Sequence, residues 1–455
     1  MGFWNTQVIH GYIYIKHMKT AERKDMEHLI FILRALTLVL IADLLLYGEK
    51  ETESTWAWIL LLLYLPQVGL FLYLLTGQNI PVQNRRKRGE ERLPVTEDNR
   101  VEIITGGKEK FQKLFEDIQN AQKEILIEYY IFQDDFLFEE IRKLLYKKSA
   151  EGIQVRVLYD ALGSRHVKRS VWKEMEERGI AVRKFRPGFW NRLLAKVSGV
   201  NYRNHRKIVV IDNYIGYVGG INIGKEYLGL DARFGMWRDT HFRMEGSSAL
   251  SLRTIFLRDW NEEVQMPIGG GKKGDAVQIV TSGPTSSSPH IRNVYLRCIG
   301  NAKKIIRIQT PYFIPDTATL NALKLALLSG KEVRLMIPCK PDHMFVYWAT
   351  LYYAARLLAL GAKVYIYKDG FLHAKGIIMD EDVYCFGTAN MDNRSFFLNY
   401  EVNAICYGRE EVKKMCTIFE NDRQYCHEFT YQEYASRSLK IRIKEQLSRL
   451  LSPLL

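Results

Sequence analysis

The stretches "NHRKIVVIDNYIGYVGGINIG", from Asn204, and "LHAKGIIMDEDVYCFGTANMD", from Leu372, carry the same reactive residue types in the same order. His205 and His373, Lys207 and Lys375, Asp212 and Asp380, Gly219 and Gly387, and Asn222 and Asn390 align without a gap, each pair 168 residues apart. One His-x-Lys near a strand end reads as an ordinary surface pair; two copies with the same Asn offset read as a site. Two ammonium groups and two amides can cradle phosphate oxygens and stabilise the charge that gathers on them in a transition state. A neutral imidazole can attack phosphorus while a second, protonated one gives its proton to the departing alkoxide. Each copy is then half a site, and the two are expected to meet between halves of the fold around one phosphodiester. This chemistry calls for no metal, no cofactor and no serine nucleophile.

A nucleophilic imidazole needs its other ring nitrogen held by an acceptor. Asp239 in "WRDTHFRMEG" and Glu401 in "RSFFLNYEVNA" stand at comparable offsets. Asp239 is expected to serve the first histidine and Glu401 the second; a structural salt bridge is the other reading. Asp212 and Asp380 belong to the repeated catalytic pattern, yet their place at strand ends reads as anchoring the local loop. His241 and His343 lack the duplicated setting, though His343 in "KPDHMFVYWAT" remains a candidate for substrate contact.

Elements must position these groups. "KEILIEYYIF" reads as a strand, a helical pattern runs from about Phe136 to Ala150, and "IQVRVLYD" reads as a buried strand. The second half repeats this βαβ unit with "KKIIRIQTPYFIPD", a helix from about Thr317 to Ser329, and "KEVRLMIP". "KIVVID" and "KGIIMD" read as buried strands that put His and Lys on one face. "YVGGIN" and "CFGTAN" read as their neighbours, whose glycines permit the close approach that brings each Asn to its His/Lys pair. "GGGKKGDAVQ" reads as the linker between the two α/β units.

The 455 residues carry a formal net charge of +14, which favours a polyanionic partner, either nucleic acid or an anionic membrane surface. Six cysteines, all in the second half, form neither a CxxC nor a Cys/His metal spacing and read as reduced thiols. "LIFILRALTLVLIADLLLY" and "WAWILLLLYLPQVGLFLYLLTG" each approach the length of about 20 residues that crosses a hydrocarbon core. Basic "KHMKTAERK" precedes the first and "RRKRGEERL" follows the second, so a membrane hairpin with both flanks in the cytoplasm is expected. A pair of buried core helices is the alternative. At the C-terminus, "SLKIRIKEQLSRLLSPLL" repeats Ile and Leu at helical spacing with Lys and Arg between them. It reads either as a helix resting on a membrane surface or as one packed on the protein.

HxKxxxxD twice, followed by GGxN in one copy and GTANMDxRSF in the other, resembles the phospholipase D superfamily. "EYYIFQDD", "GGINIGKEYLG", "WRDTHFRMEG", "IQTPYFIPD" and "GTANMDNRSFFLNYEVNA" are similar within it to the bacterial cardiolipin synthases. The resemblance implies two tandem αβαβα sandwich domains that form one composite active site behind an N-terminal two-helix transmembrane hairpin. It implies a metal-independent phosphohistidine mechanism in which two phosphatidylglycerol molecules become cardiolipin and glycerol. Carried over, His205, Lys207 and Asn222 form the first half-site, His373, Lys375 and Asn390 the second, with Asp239 and Glu401 as histidine-orienting carboxylates. The resemblance also favours His205 as the nucleophile. The expected organisation is a leader (1–27), hairpin (28–77), basic linker (78–99) and two catalytic domains (100–270 and 271–455) on the cytoplasmic side of a cell membrane. The leader departs from the family's pattern in being longer and more polar. Expected partners are phosphatidylglycerol and anionic membrane lipid, with no nucleic acid; the oligomeric state stays open. A phospholipase D-type hydrolase, a membrane-tethered nuclease and an inactive membrane scaffold are the competing readings.

Overall fold

A computed structural model describes residues 20–47, 52–73, 92–185, 202–262 and 274–452. The described residues fall into two compact units, 20–47 with 52–73, and 92–185 with 202–262 and 274–452.

In the first unit a helix spans Thr20–Tyr47. Its segment Glu27–Leu46, 20 residues, is the one helix among the described residues long and apolar enough to cross a membrane. Leu44, Leu62 and Tyr73 form a small buried cluster with Leu40, Ile41 and Trp58 packed against it. The second apolar run is not the single continuous span expected. One helix covers Thr52–Tyr64, Leu65 takes φ −132° and ψ 63°, and a new helix begins at Pro66 and runs to Leu72. Proline disfavours helical geometry in the residue before it and cannot donate its own N–H, so the helix breaks there. Gly69 permits the fold: a Cβ on it would lie 2.9 Å from the Leu61 carbonyl oxygen. The end of that run, the leader before Thr20 and most of the basic linker lie outside the described residues.

The second unit contains two sheets of matching topology. In the first, Glu124–Tyr129, Gln154–Tyr159 and Ala181–Lys184 are parallel. Antiparallel partners then continue from Glu124–Tyr129 through Lys207–Ile211, Ile215–Gly219 and Trp237–Glu245 to Arg92–Gly106. In the second, Ile305–Gln309, Glu332–Pro338 and Lys363–Tyr367 are parallel. The antiparallel continuation runs through Gly376–Met379, Val383–Gly387 and Asn399–Tyr407 to Asp275–Ser282. The crossover helices stand where the patterns place them. Phe136–Ala150 is capped by Asp135, whose carboxylate accepts from the N–H of Leu137 at 3.0 Å. Thr317–Leu328 is capped by Asp316, which accepts from Thr319 at 3.0 Å. Both Asp side chains satisfy donors that a helix start leaves without partners.

The strand Arg92–Gly106 belongs to both sheets. Residues up to Asn99 pair with Asp275–Ser282, and residues from Arg100 pair with Trp237–Glu245. It takes in the end of the expected basic linker, and Asp275–Gln278 of the expected inter-unit linker are likewise strand; residues 263–273 lie outside the described set.

Candidate active site

Each half lends the start of its signature segment to the other. Arg203–Asn204 pairs in parallel with Asn399–Tyr400, and the His205 N–H donates to the Tyr400 carbonyl at 2.9 Å. Phe371–Leu372 pairs in parallel with Trp237–Arg238, and the His373 N–H donates to the Arg238 carbonyl at 2.7 Å. This reciprocal docking decides the carboxylate partners. His205 Nδ1 lies 2.9 Å from Glu401 Oε1, and His373 Nδ1 lies 2.6 Å from Asp239 Oδ2. The expected pairing of Asp239 with His205 and Glu401 with His373 is therefore reversed. Along one chain each carboxylate follows its own half's histidine. In space the histidine sits on the first residues of the other half's long strand.

Both carboxylates are completely buried, and each imidazole's Nδ1 faces an acceptor. That contact favours the tautomer with the proton on Nδ1 and the Nε2 lone pair free. The carboxylates are held differently. Thr388 Oγ1 donates to Glu401 Oε2 at 2.5 Å, and Asn399 Nδ2 donates to Oε1 at 3.2 Å. Asp239 accepts instead from the Thr240 N–H at 2.7 Å. The residue matching Thr388 in the first copy is Gly220, where a Cβ would lie 2.1 Å from Asp239 Oδ1. The GG of one motif and the GT of the other thus answer to the two carboxylates.

Lys207 and Lys375 are fully buried. Lys207 Nζ donates to the His205 carbonyl at 2.8 Å, and Lys375 makes the equivalent bond to the His373 carbonyl. Burial pushes Lys207 down to about 7 against the pull of Glu401, and Lys375 down to about 8 against the pull of Asp239. Burial also lowers both histidines, His373 to about 4 with Lys375 adding to the effect. Burial alone would raise Asp239, but Lys375 and His373 together hold it at about 2. Each half's lysine acts on the other half's histidine, so the groups share one electrostatic environment. Asn222 donates to the Tyr227 hydroxyl at 2.7 Å, and its Oδ1 accepts from the Ile131 N–H at 3.3 Å. Asn390 is buried, and its Oδ1 has no hydrogen-bond partner among the described residues.

Asp212 and Asp380, which complete the catalytic pattern in sequence, serve as loop anchors here. Asp212 accepts from the N–H groups of Gln122, Lys123 and Glu124 at 2.7–3.0 Å. Asp380 accepts from Lys303, Lys304 and Ile305 at 2.8–2.9 Å. Both adopt left-handed backbone, with φ 54° and 51°. Each ties the end of one central strand to the start of its neighbour.

Two aromatic residues had gone unassigned. Tyr130 stands edge-on to His205 with centroids 4.9 Å apart, and Trp237 lies 4.9 Å from His373. Tyr130 lies within "EYYIFQDD" and Trp237 begins "WRDTHFRMEG", but nothing in their spacing separates them from ordinary core aromatics. His343 stays at the periphery, its ring 6.4 Å from Tyr312, whose hydroxyl bonds Asp342. His241 is buried inside the first half, and neither ring nitrogen has a hydrogen-bond partner among the described residues.

A family described as "Cardiolipin synthase, PLD-like domain" matches residues 114–260 and 295–423, and one described as "Phospholipase_D-nuclease N-terminal" matches residues 35–78. The chain is 44% identical to the major cardiolipin synthase ClsA of Bacillus subtilis, over 92% of this chain and 97% of that protein. It is 41% identical to a cardiolipin synthase of Oceanobacillus iheyensis over the same shares. Among solved structures, a phosphatidylserine synthase from Haemophilus influenzae shares the fold, with TM-score 0.61 and 14% identity over 78% of this chain and 95% of that one. The two half-sites therefore sit on a repeated phospholipase D-like scaffold, and the chain belongs to the cardiolipin synthase family of the phospholipase D superfamily.

Proposed function

We propose that the chain transfers a phosphatidyl group from one phosphatidylglycerol to a hydroxyl of a second, giving cardiolipin and free glycerol. The crossed pairing of the two imidazoles with Glu401 and Asp239 carries this reading. It presents two Nδ1-anchored histidines to one phosphodiester, as a two-step displacement requires.

In the first step His205 Nε2 attacks phosphorus while its Nδ1–H is held by Glu401. The P–N bond forms as the P–O bond to glycerol breaks, and His373 gives its Nε2 proton to the departing glycerol oxygen. In the second step neutral His373 takes the proton of the acceptor hydroxyl. That oxygen attacks phosphorus, the P–N bond breaks, and the phosphatidyl group leaves as cardiolipin. Lys207, Lys375, Asn222 and Asn390 contribute donors to the non-bridging oxygens. Burial keeps His373 neutral at rest. The arriving phosphodiester anion supplies the negative charge that favours its protonation. The assignment of His205 as nucleophile rests on family resemblance.

We place the catalytic halves, residues 100–270 and 271–455, on the cytoplasmic side of a membrane. The basic flanks "KHMKTAERK" and "RRKRGEERL" support this side for both ends of the apolar region. The defining experiment incubates the detergent-solubilised chain with phosphatidylglycerol and a chelator and identifies the products. Cardiolipin with an equal amount of glycerol is expected. Phosphatidic acid with glycerol and no cardiolipin would make the enzyme a hydrolase, and dependence on added metal would overturn the mechanism.

A further inference from the structure

The C-terminal helix Leu439–Leu450 packs with its apolar side outward. Its buried positions are Glu445 and Ser448, continued past the helix end by Ser452. Arg437 neutralises Glu445 at 2.8 Å. Ser452 Oγ lies 3.2 Å from the Tyr353 hydroxyl, Arg449 donates to the Tyr352 hydroxyl at 3.3 Å, and the Lys444 ammonium stands 5.1 Å from the Trp348 ring centre. These contacts seat the helix on the helix Met344–Leu358 through polar groups.

The opposite side holds Leu439, Ile443, Leu447 and Leu450, exposed by 72%, 51%, 57% and 66%. At 100° per residue these four fall within one narrow stripe. A helix packed for stability alone turns such a stripe inward. Lys440 and Arg442 are exposed on the same helix, whose one carboxylate is the inward, neutralised Glu445. The outward surface is thus apolar and cationic, with no acid. Its C-terminal end is tied to the site, since Asn393, three residues beyond Asn390, donates to the Ser452 carbonyl at 3.2 Å.

We propose that the outward face of helix Leu439–Leu450 is a docking surface for an anionic lipid bilayer. An apolar stripe bordered by Lys and Arg matches the boundary between acyl chains and anionic headgroups. The net charge of +14 and the membrane-length helix in the same chain complement that occupant. A bilayer in contact with this face also lies beside the half-site that contains Asn390. The claim goes beyond the transfer reaction and can be tested without it.

The test uses the full chain reconstituted in vesicles. A Leu447→Trp variant is compared with its parent in phosphatidylglycerol vesicles with plain or brominated acyl chains. The added fluorescence is expected to be quenched by the brominated chains. Added fluorescence that escapes quenching overturns the proposal, and crosslinking of this face to a second copy would name another protein as its occupant. A second arm uses Ile443→Ser with Leu447→Ser, positions where exposure leaves folding intact, checked by circular dichroism. Turnover of long-chain phosphatidylglycerol in vesicles should fall about tenfold, while turnover of a short-chain monomeric phosphatidylglycerol stays unchanged. Equal loss on both substrates overturns docking. If neither substrate is turned over even by the parent, the transferase reading fails while the quenching result still decides the docking surface.

Discussion

Glu401 and Asp239 act on the histidine of the opposite half, which makes the pairing open to direct chemical trial. With a lipid analogue bearing an activated phenol, the first step needs no proton donor. Glu401→Gln should then slow covalent labelling of His205 by about 10²-fold or more, because the attacking imidazole loses its anchor. Asp239→Asn should leave that labelling nearly intact and impair turnover of the glycerol ester instead. The opposite pattern, read by rapid quench and peptide mapping, would assign attack to His373. The lysines set a pH limit. Lys207 and Lys375, lowered by burial to about 7 and about 8, are ammonium ions below those values and lose charge as pH rises through them. Tungstate, whose own charge is constant over this range, should bind tightly at low pH and weaken by about tenfold per pH unit for each lysine once its value is passed, the two factors multiplying above about 8. Affinity that is flat across that window, measured calorimetrically, would mean the lysines stay charged in the empty site.

The strand ends beneath these residues carry the difference between the two copies. Gly220 leaves room for Asp239, whereas the corresponding Thr388 donates to Glu401. Gly220→Ala should therefore displace the Asp239 carboxylate from His373 and cut activity by about two orders of magnitude with little loss of folded protein. An active variant would show that the strands shift to admit a methyl group. The helix Gly107–Asn120 holds another local conflict. Lys110 is fully buried, and its amine donates to the Tyr129 hydroxyl at 2.9 Å. Burial lowers its pKa well below the ordinary value. A lysine depressed in this way contributes stability that is complete above the unfolded value and is lost as pH falls below it. Lys110→Met should therefore raise the thermal midpoint at neutral pH and flatten its dependence on pH; a lower midpoint would mean that the Tyr129 bond outweighs desolvation.

At the scale of the whole catalytic unit, one strand belongs to both sheets, and Asn99 sits at its crossing point. Asn99 Nδ2 donates to the carbonyls of Thr96 and Asp275 at 2.9 Å, and its Oδ1 accepts from the Ser248 N–H at 2.8 Å. Asn99→Ala would leave those buried groups without partners, at about 1–3 kcal/mol each. The midpoint of thermal unfolding should drop by several degrees while the transition stays single. Two separate transitions would mean that the variant's halves have uncoupled and unfold independently. The βαβ units, their capped crossover helices and the His, Lys and Asn of each half-site were legible in the sequence, because alternation, caps and an exact repeat are local or self-referential signals. The break at Pro66 was also written there, in the one residue type that cannot continue a helix, and an apolar count over the whole run concealed it. Asp212 and Asp380 fell within the repeated catalytic pattern while their strand-end positions read as loop anchors, and a repeat preserves structural anchors as faithfully as reactive groups. What only the tertiary structure decided was which carboxylate meets which histidine and which side of the last helix faces out. Both depend on surfaces brought together from distant parts of the chain. The sequence records the order of Asp239 and Glu401, whereas the reciprocal docking of Arg203–Asn204 and Phe371–Leu372 onto the opposite halves determines their partners.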